Sequence, residues 1–421
     1  MRFLPVLHKG ALLGILVMLV AVGCGNGSSS SQAVGATTSA QAAETTSTPD
    51  PPTSKPPTTT TTEPTTTTTD PVLAMVEMMT LQDKIGQMLM PVLRGTGVDT
   101  VTGADVGYNS ALGGFGTPAE IVAAYRLGGI MYLGPNVVSP QQIGEFSRDL
   151  QEIAIQSELP GLLIAADQEG GRVLRIRGEG ITPAGSARSL AGDASAVYDA
   201  ALLTGHEMSG IGINVVFAPV ADVVRSDVGV IGNRSYGSDP LLVAEMVTAS
   251  VSGLKDGGVA PVAKHWPGHG ATEVDSHREL PTVASSEQEW RTIDLPPFES
   301  AVDADTSAIM VGHLAVPSLG SSEPATISPR LTEDLVRSEL GFGGVLFTDA
   351  MDMRALDGIE EAELAVRVVE AGIDILLVPP DLAAAVSGIT NAVSSGRISE
   401  QRLDASVERI LQMKDDLGLL G

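Results

Sequence analysis

The chain is short of cysteine and of basic residues. Its one cysteine, Cys24, cannot form a disulfide within the chain. It has 25 lysines and arginines against 51 aspartates and glutamates, which gives a formal net charge of −26. Because phosphate recognition depends on cationic side chains, this charge argues against nucleic acid as a partner, although an ordinary soluble surface has the same character.

Large apolar side chains are almost absent between residues 24 and 70. This segment consists mainly of Ser, Thr, Pro and Ala, and it includes the threonine runs 58–62 and 65–69. Such a composition cannot bury enough surface to offset the entropy of ordering the chain. We therefore predict a disordered linker over residues 24–70.

The first 23 residues predict an export signal. Arg2 and Lys9 precede an apolar run over residues 11–22, which has the length of a signal-peptide core and is too short for a normal transmembrane helix. The run ends in Ala21-Val22-Gly23-Cys24, which resembles a bacterial lipobox with alanine in place of the usual leucine. The resemblance implies cleavage before Cys24, lipidation of its thiol and an outward-facing protein anchored in the cell membrane. An ordinary cleaved signal and an uncleaved anchor are the alternatives, and every version places the protein outside the cytoplasm.

After Pro71 the sequence predicts one folded domain over residues 71–421. Short apolar runs alternate there with longer amphipathic stretches, as in repeated βα units. The candidate strands are 87–91, 129–133, 162–167, 214–220, 260–265, 308–313, 344–349 and 374–378. Helix-like spacing covers 140–158, 194–210, 241–256 and 360–371.

These elements favour an α/β fold, a single TIM-type (β/α)8 barrel. Eight strands close a parallel barrel, and polar side chains recur at the carboxyl ends of the candidate strands, where a barrel has its active site. An open doubly wound sheet is the rival architecture. No candidate strand, however, is followed by the glycine fingerprint of a dinucleotide site.

Polar side chains are most concentrated after the fifth candidate strand. The two segments are Lys264-His265-Trp266-Pro267-Gly268-His269-Gly270 and Asp275-Ser276-His277. His265 and His269 have the i, i+4 spacing of zinc ligands on a helix, but the intervening proline and glycine disfavour a regular helix, so we expect no metal. We interpret His269 as a loop histidine that satisfies backbone groups.

Asp275 and His277 are predicted to work as a pair. They lie two residues apart on a loop, and a carboxylate that binds one ring nitrogen orients an imidazole and raises its basicity. Their spacing therefore predicts a proton-transfer dyad.

Acidic residues also follow two other candidate strands. Asp349 comes directly after an apolar run and should point into the mouth of the pocket, where a carboxylate can attack an anomeric carbon. Asp352 is interpreted as a helix cap or surface residue. The segment from Asp167 to Arg175 combines acceptors, donors and glycines and predicts a ligand loop, although a single arginine in such a loop is as often structural.

Together these motifs resemble glycoside hydrolase family 3, in particular its bacterial β-N-acetylglucosaminidase (β-hexosaminidase) branch. The resemblance covers residues 81–417. Its most specific element is the lysine- and histidine-rich segment with Asp275-Ser276-His277, and the Asp-Gln-Glu-Gly-Gly-Arg and Phe-Thr-Asp elements add support. Trp266 stands where the family has phenylalanine, a departure that should preserve an aromatic wall.

The resemblance implies a role for each matching residue. Asp349 would be the nucleophile, His277 the acid/base group and Asp275 its support, because this branch replaces the usual second carboxylate by a histidine. Five side chains would hold the sugar in the first subsite: Asp167, Arg175, Arg234, Lys264 and His265. The resemblance implies no cofactor, and we expect a monomer.

The function that follows is a retaining exo-β-N-acetylglucosaminidase acting on terminal β-GlcNAc, with peptidoglycan (GlcNAc-MurNAc) fragments as the expected substrate. The first alternative is a β-glucosidase or a phosphate-dependent glycosidase of the same family, since a histidine acid/base would not repel phosphate. Many β-glucosidase relatives carry a second α/β domain, whereas only about 70 residues follow Asp349 here. A non-catalytic glycan-binding lipoprotein is the remote alternative, because binding alone does not need both a nucleophile and an acid/base group.

Overall fold

The computed structural model describes residues 70–226, 229–272 and 274–420. The predicted signal peptide, the lipidation site at Cys24 and the linker up to residue 69 lie outside the described residues. These three remain predictions.

The described residues contain ten strands in three sheets. In chain order the strands are β1 (Leu89–Met90), β2 (Gly129–Tyr132), β3 (Leu163–Ala166), β4 (Gln168–Gly170), β5 (Val173–Leu174), β6 (Val215–Val216), β7 (Ala260–Trp266), β8 (Ala308–Val311), β9 (Val345–Thr348) and β10 (Leu376–Leu377). The main sheet is parallel and has the order β2-β3-β6-β7-β8-β9. β1 pairs with β10 in parallel, and β4 pairs with β5 as a small antiparallel hairpin.

Helices cover the segments between the strands. The α-helices are α1 (Pro71–Met78), α2 (Leu81–Gln87), α3 (Gly103–Gly113), α4 (Pro118–Tyr125), α5 (Pro140–Gln156), α6 (Ala187–Leu190), α7 (Ala194–Ser209), α8 (Pro240–Asp256), α9 (Glu287–Glu289), α10 (Leu295–Asp303), α11 (Glu361–Glu370), α12 (Leu382–Ser394) and α13 (Glu400–Asp416). Two π-helical segments are Trp290–Asp294 and Arg330–Glu339, and short 3-10 turns are Gly134–Asn136, Gly232–Arg234, Pro317–Leu319, Ala325–Ile327 and Arg354–Leu356. None of the helices in the described ranges is both long enough and apolar enough to cross a membrane.

Local sequence determines where the long helices begin. Asp239 caps α8 by accepting a hydrogen bond from the Leu241 N–H at 3.0 Å, and Pro240 occupies the first helical position. Ser139 and Pro140 repeat this arrangement at the start of α5. Proline is favourable at that position because its missing N–H would have no partner within the helix.

The strands form the centre of the hydrophobic core. Every residue of β2, β3, β7, β8 and β9 is buried. Nearly continuous apolar runs are typical of parallel strands that are covered on both faces. The described chain therefore has a mixed α/β fold with a curled parallel sheet.

The strands of the main sheet follow one another in chain order. An open doubly wound sheet would reverse its strand order at a switch point, so that alternative is wrong. Closure of the sheet into a complete eight-stranded barrel remains a prediction.

Candidate active site

A cavity of about 150 Å³ lies at the carboxyl ends of the parallel strands. This is the edge at which α/β sheets place their ligand sites. The cavity brings together seven of the eight side chains predicted for catalysis or sugar binding: Asp167, Arg175, Arg234, Lys264, His265, His277 and Asp349. The eighth, Asp275, does not line the cavity but is hydrogen-bonded to His277, which does.

One wall of the cavity is a network of paired charges. Lys264, in β7, lies 2.7 Å from the Asp167 carboxylate and 2.6 Å from that of Glu169. Arg234 donates two hydrogen bonds to Glu169, at 2.7 and 2.8 Å, and Arg175 lies 3.2 Å from Asp167. Three cations therefore share two carboxylates, so each long side chain is held in one orientation.

The network keeps Glu169 and Lys264 charged although both side chains are removed from water. Burial acts to raise the pKa of Glu169, but Lys264 and Arg234 outweigh it and hold the pKa well below its usual range. Burial acts to lower the pKa of Lys264, whereas the two carboxylates raise it, and the net shift is upward. An ionised, oriented set of donors and acceptors is suited to the hydroxyl groups of a sugar.

Asp349 lies one residue beyond β9 and is buried. Its Oδ1 accepts a hydrogen bond from the Ala350 N–H at 2.9 Å, and its own N–H donates to the Val311 carbonyl. Burial acts to raise the pKa of this carboxyl, but the nearby His265 and the other groups around it lower the pKa, and the net shift is downward. Asp349 is therefore an ionised carboxylate, the state that a nucleophile requires.

A buried histidine fixes the backbone beside Asp349. His313 Nε2 lies 2.9 Å from the Ala350 carbonyl and must donate to it, because a carbonyl only accepts. Its Nδ1 then accepts from the Thr326 hydroxyl at 3.0 Å. Burial lowers the pKa of His313, so the neutral ring holds the carbonyl of Ala350, the residue whose N–H binds Asp349.

His265 is oriented by a carboxylate that lies deeper in the fold. Its Nδ1 lies 2.7 Å from Oδ2 of the fully buried Asp222, and Arg234 approaches its Nε2 at 3.4 Å. This pattern fits the tautomer that is protonated at Nδ1, which leaves Nε2 as an acceptor. Asp222 also accepts the His269 backbone N–H at 2.6 Å, so one carboxylate organises both ends of the loop.

His269 is a buried loop histidine, as predicted, but its ring does not serve the backbone. Its Nδ1 lies 2.6 Å from the Thr272 hydroxyl, and its buried Nε2 has no hydrogen-bond partner among the described residues. Burial lowers the pKa of the ring. Within the described ranges no group of three or more His, Cys, Asp or Glu side chains is placed to hold a metal ion.

The Asp275–His277 pair has the predicted geometry. Asp275 Oδ1 lies 2.8 Å from His277 Nδ1 and also accepts the His277 backbone N–H at 3.0 Å. The imidazole is 64% exposed, so its Nε2 is open to the cavity and to solvent. Between the two residues, the Ser276 carbonyl accepts the Ala355 N–H, which joins this loop to the segment after β9.

Three residues of the site were not singled out from the sequence: Glu169, Asp222 and His313. Glu169 stands inside the predicted ligand loop, and the pattern of alternating acceptors there was the available signal. Asp222 and His313 act through partners that are distant in the sequence, and no local pattern marks them. Asp352, interpreted as a cap or a surface residue, is exposed and does not cap α11.

The fold and the cavity together define a class of protein. Its members are α/β proteins that have a buried carboxylate and paired charges at the carboxyl edge of a parallel sheet. Comparison with known sequences then supplies the family. The profile of the "Glycosyl hydrolase family 3 N terminal domain" matches residues 80–413. The chain belongs to glycosyl hydrolase family 3.

Several relatives have known names or structures. "Beta-hexosaminidase A" of Pseudoalteromonas piscicida is 33% identical over 330 residues, which cover 71% of this chain and 55% of that protein. "Beta-hexosaminidase LpqI" of Mycobacterium tuberculosis is 36% identical over 310 residues, covering 70% of this chain and 77% of the relative. A family 3 β-N-acetylglucosaminidase from Paenibacillus sp. str. FPU-7 superposes with a TM-score of 0.74 at 38% identity, over 81% of this chain and 63% of that one. The chain thus spans little more than half the length of the first of these relatives.

Proposed function

We propose that the protein is a retaining exo-β-N-acetylglucosaminidase, a β-N-acetylhexosaminidase that removes terminal β-GlcNAc. The observation that carries the proposal is the shared cavity, in which the ionised carboxylate of Asp349 and the His277–Asp275 pair line the same space. The relatives support this assignment, because one is a β-N-acetylglucosaminidase and two are β-hexosaminidases. The proposed reaction needs no cofactor.

Asp349 and His277 divide the proposed reaction between them. In the first step an Asp349 oxygen attacks the anomeric carbon, the glycosidic C–O bond breaks, and protonated His277 gives its Nε2 proton to the leaving oxygen. In the second step neutral His277 takes a proton from water, the water oxygen attacks the same carbon, and the ester to Asp349 breaks. Asp275 holds Nδ1–H throughout, so Nε2 is the atom that exchanges the proton.

The charged wall would hold the sugar. Asp167, with Lys264 and Arg175, offers an acceptor between two donors, and the Nε2 of His265 offers a further acceptor beside Arg234. Because these groups are already oriented by one another, binding would cost little additional side-chain entropy.

The proposed substrate is a peptidoglycan fragment with a GlcNAc-MurNAc linkage, met outside the cytoplasm. This part of the proposal rests on the N-terminal sequence, where the lipobox-like segment would anchor Cys24 in the cell membrane and the linker would extend toward the wall.

We also propose that the parallel strands close into one (β/α)8 barrel. Two contacts support closure: the Met131 N–H of β2 donates to the Pro91 carbonyl just after β1 at 3.0 Å, and Phe347 of β9 forms a bridge with Ile375 just before β10. With the pairing of β1 and β10, these contacts would complete the ring.

Variants of the two catalytic residues test the mechanism. Asp349→Ala should lower kcat by about 10⁴-fold for every leaving group, because no other activated group can attack the anomeric carbon. His277→Ala should lower turnover of a natural disaccharide by about 10²–10⁴-fold, but that of an aryl glycoside with a good leaving group far less. Steady-state kinetics on both substrates, with mass spectrometry of the trapped enzyme, are the measurements.

Matched exposed residues provide the controls. Asp357→Ala and His206→Ala remove the same groups from the surface and should retain wild-type rates. Equal losses on both substrates in His277→Ala, or a sugar trapped on a residue other than Asp349, would contradict the assignment. Faster turnover of an aryl β-glucoside than of the β-N-acetylglucosaminide, or a requirement for phosphate, would favour the alternative activities.

A further inference from the structure

Three methionines differ from the others in the described part of the chain. Of the twelve methionines there, nine are buried, each with at most 9% of its surface exposed. The remaining three are Met75, Met78 and Met79, and Met78 is 78% exposed. A methionine that serves only to fill the core would be buried like the nine. Core packing alone therefore does not account for these three side chains.

All three methionines line one cavity of about 330 Å³ beside the first helix of the described chain. Met75 and Met78 lie three residues apart on α1, so they share one face of that helix. The Met79 N–H donates to the Met75 carbonyl at 3.2 Å, so Met79 lies one turn beyond Met75. Leu159 and Leu420 add apolar surface from two distant parts of the sequence. The turn of the helix thus brings three thioether groups to one space.

Helix α1 is fixed in place on one side. A small cluster of buried residues, which includes Val72 and Val76, joins α1 to α13. Met75 and Met79 are partly buried and pack against this cluster, whereas Met78 is open to solvent. Two of the three thioether side chains are therefore restricted by packing, and the third is accessible to an ion that arrives from solution.

The charges around the cavity favour a cation. Asp83 and Arg126 both line it, and they form an ion pair in which their charges compensate. Glu158 also lines the cavity and is exposed, and its carboxylate has no hydrogen-bond or ion-pair partner among the described residues. One uncompensated negative charge therefore stands beside the three methionines, in a chain whose formal net charge is −26.

The chemistry of the thioether group limits the kind of cation. Thioether sulfur is a soft ligand that selects Cu(I), whereas Mg²⁺, Ca²⁺ and Mn²⁺ prefer the oxygen atoms of carboxylates, carbonyls and water. A thioether also has no proton to lose, so metal binding does not compete with protons as it does at histidine or cysteine. A cluster of methionines is thus suited to a soft monovalent ion over a wide range of pH.

We propose that Met75, Met78 and Met79 form a surface site that binds one Cu(I) ion through their three sulfur atoms. Glu158 would balance the charge of the ion without being its ligand, and binding involves no change of oxidation state. No residue that lines this cavity also lines the cavity of Asp349. The site is therefore a second binding function, separate from the proposed glycosidase reaction.

Anaerobic titration with Cu(I) in competition with a chromogenic chelator measures the affinity. Because the thiol of Cys24 would bind Cu(I) by itself, every protein in the comparison carries Cys24→Ala. This parent protein should bind one equivalent, and combining Met75→Leu, Met78→Leu and Met79→Leu should weaken binding by about 100-fold or more. Met78→Leu alone should weaken binding by about 10-fold. Leucine keeps a similar apolar volume, so the fold should be preserved, and thermal unfolding checks this.

Met246→Leu is the matched control, because it removes one thioether from a buried position on α8 that does not line the cavity. It should leave the affinity for Cu(I) unchanged, and excess Mg²⁺ should not displace Cu(I) from the parent protein. X-ray absorption spectroscopy of the copper-loaded parent should show sulfur neighbours around the metal. Equal affinity in the parent and the triple variant, or a metal surrounded by nitrogen and oxygen alone, would overturn the site. If the triple variant does not fold, Met78→Leu decides, and an unchanged affinity in that variant would overturn the site as well.

Discussion

Glu169 is the residue on which the charged wall of the cavity depends. It binds Lys264 at 2.6 Å and Arg234 at 2.7 and 2.8 Å, and its carboxylate is almost inaccessible to solvent. If Glu169 lost its negative charge, Lys264 would still form its ion pair with Asp167. The side chain of Arg234 would be left with the 3.4 Å contact to His265. A buried cation that loses its partner is costly.

We therefore expect Glu169→Gln to lower the free energy of unfolding by roughly 3 kcal/mol and kcat/KM by about 10- to 100-fold. The pKa of Glu169 is depressed in the folded protein, so its contribution to stability is present above pH 4.5 and is lost as the pH falls further. Denaturant unfolding at several pH values and steady-state kinetics measure both effects. Glu145→Gln, at an exposed site on α5, should change stability by less than about 0.5 kcal/mol. Similar losses in both variants would mean that the charge network has no special role.

The acidic residues at strand ends could be predicted, whereas their supporting partners could not. Asp349 and Asp167 directly follow apolar runs, so a strand pattern alone places them at the carboxyl edge. Asp222 lies 43 residues before His265, which it orients. Such a pair forms only when β6 and β7 lie side by side, and single-sequence periodicity contains no information about that approach.

At the scale of elements, the apolar runs predict where strands lie better than where they end. The candidate strand 129–133 is observed as Gly129–Tyr132, but the candidate 214–220 is reduced to Val215–Val216. Pro219 has no N–H for the ladder, and the Ala218 N–H turns back to the Val216 carbonyl. The helix α3 was not predicted, because its glycines and small residues give a weak pattern, although Thr102 and Asp105 form a capping box.

Helix α13 brings a lysine into the core. Lys414 is fully buried, and its Nζ donates to Gln87 Oε1 at 2.6 Å, a neutral partner. With no carboxylate to compensate, burial lowers the pKa of Lys414 to about 7. Between that pH and about 10.5 the unfolded chain binds a proton that the folded chain releases, so stability should rise with pH across this window.

Lys414→Met should abolish that part of the pH dependence. Relative to the variant, the wild-type protein should gain about 3 kcal/mol of unfolding free energy between pH 7 and pH 9.5. Denaturant unfolding curves at the two pH values provide the comparison. Lys255→Met, which removes a more exposed lysine paired with Asp305, should keep the wild-type slope. If Lys414→Met keeps it as well, the buried lysine is charged in the folded protein.

At the scale of the whole molecule, the described core begins with α1. Val72 and Val76 pack against Val407 and Leu411 of α13 in a small cluster of buried residues. Asp70 caps α1 by accepting the Val72 N–H at 2.9 Å. Among the described residues, the first one with a role in the fold is thus Asp70, one residue before the predicted domain start.

We expect the chain before Asp70 to determine location and not catalysis. A variant that begins at residue 70 should unfold cooperatively and retain wild-type turnover, because the residues it loses have almost no large apolar side chains outside the short run 11–22. A matched variant that begins at residue 80 also loses α1, and it should be less stable by roughly 3–5 kcal/mol because Val407 and Leu411 lose the side chains that cover them.

In the full-length chain, Cys24→Ala should leave turnover intact while releasing the protein from the membrane fraction. Thermal unfolding, kinetics and fractionation of cells that express each form test the three expectations together. Equal stability of the two truncated forms would show that α1 is not part of the core, and membrane retention of Cys24→Ala would reject lipidation as the anchor.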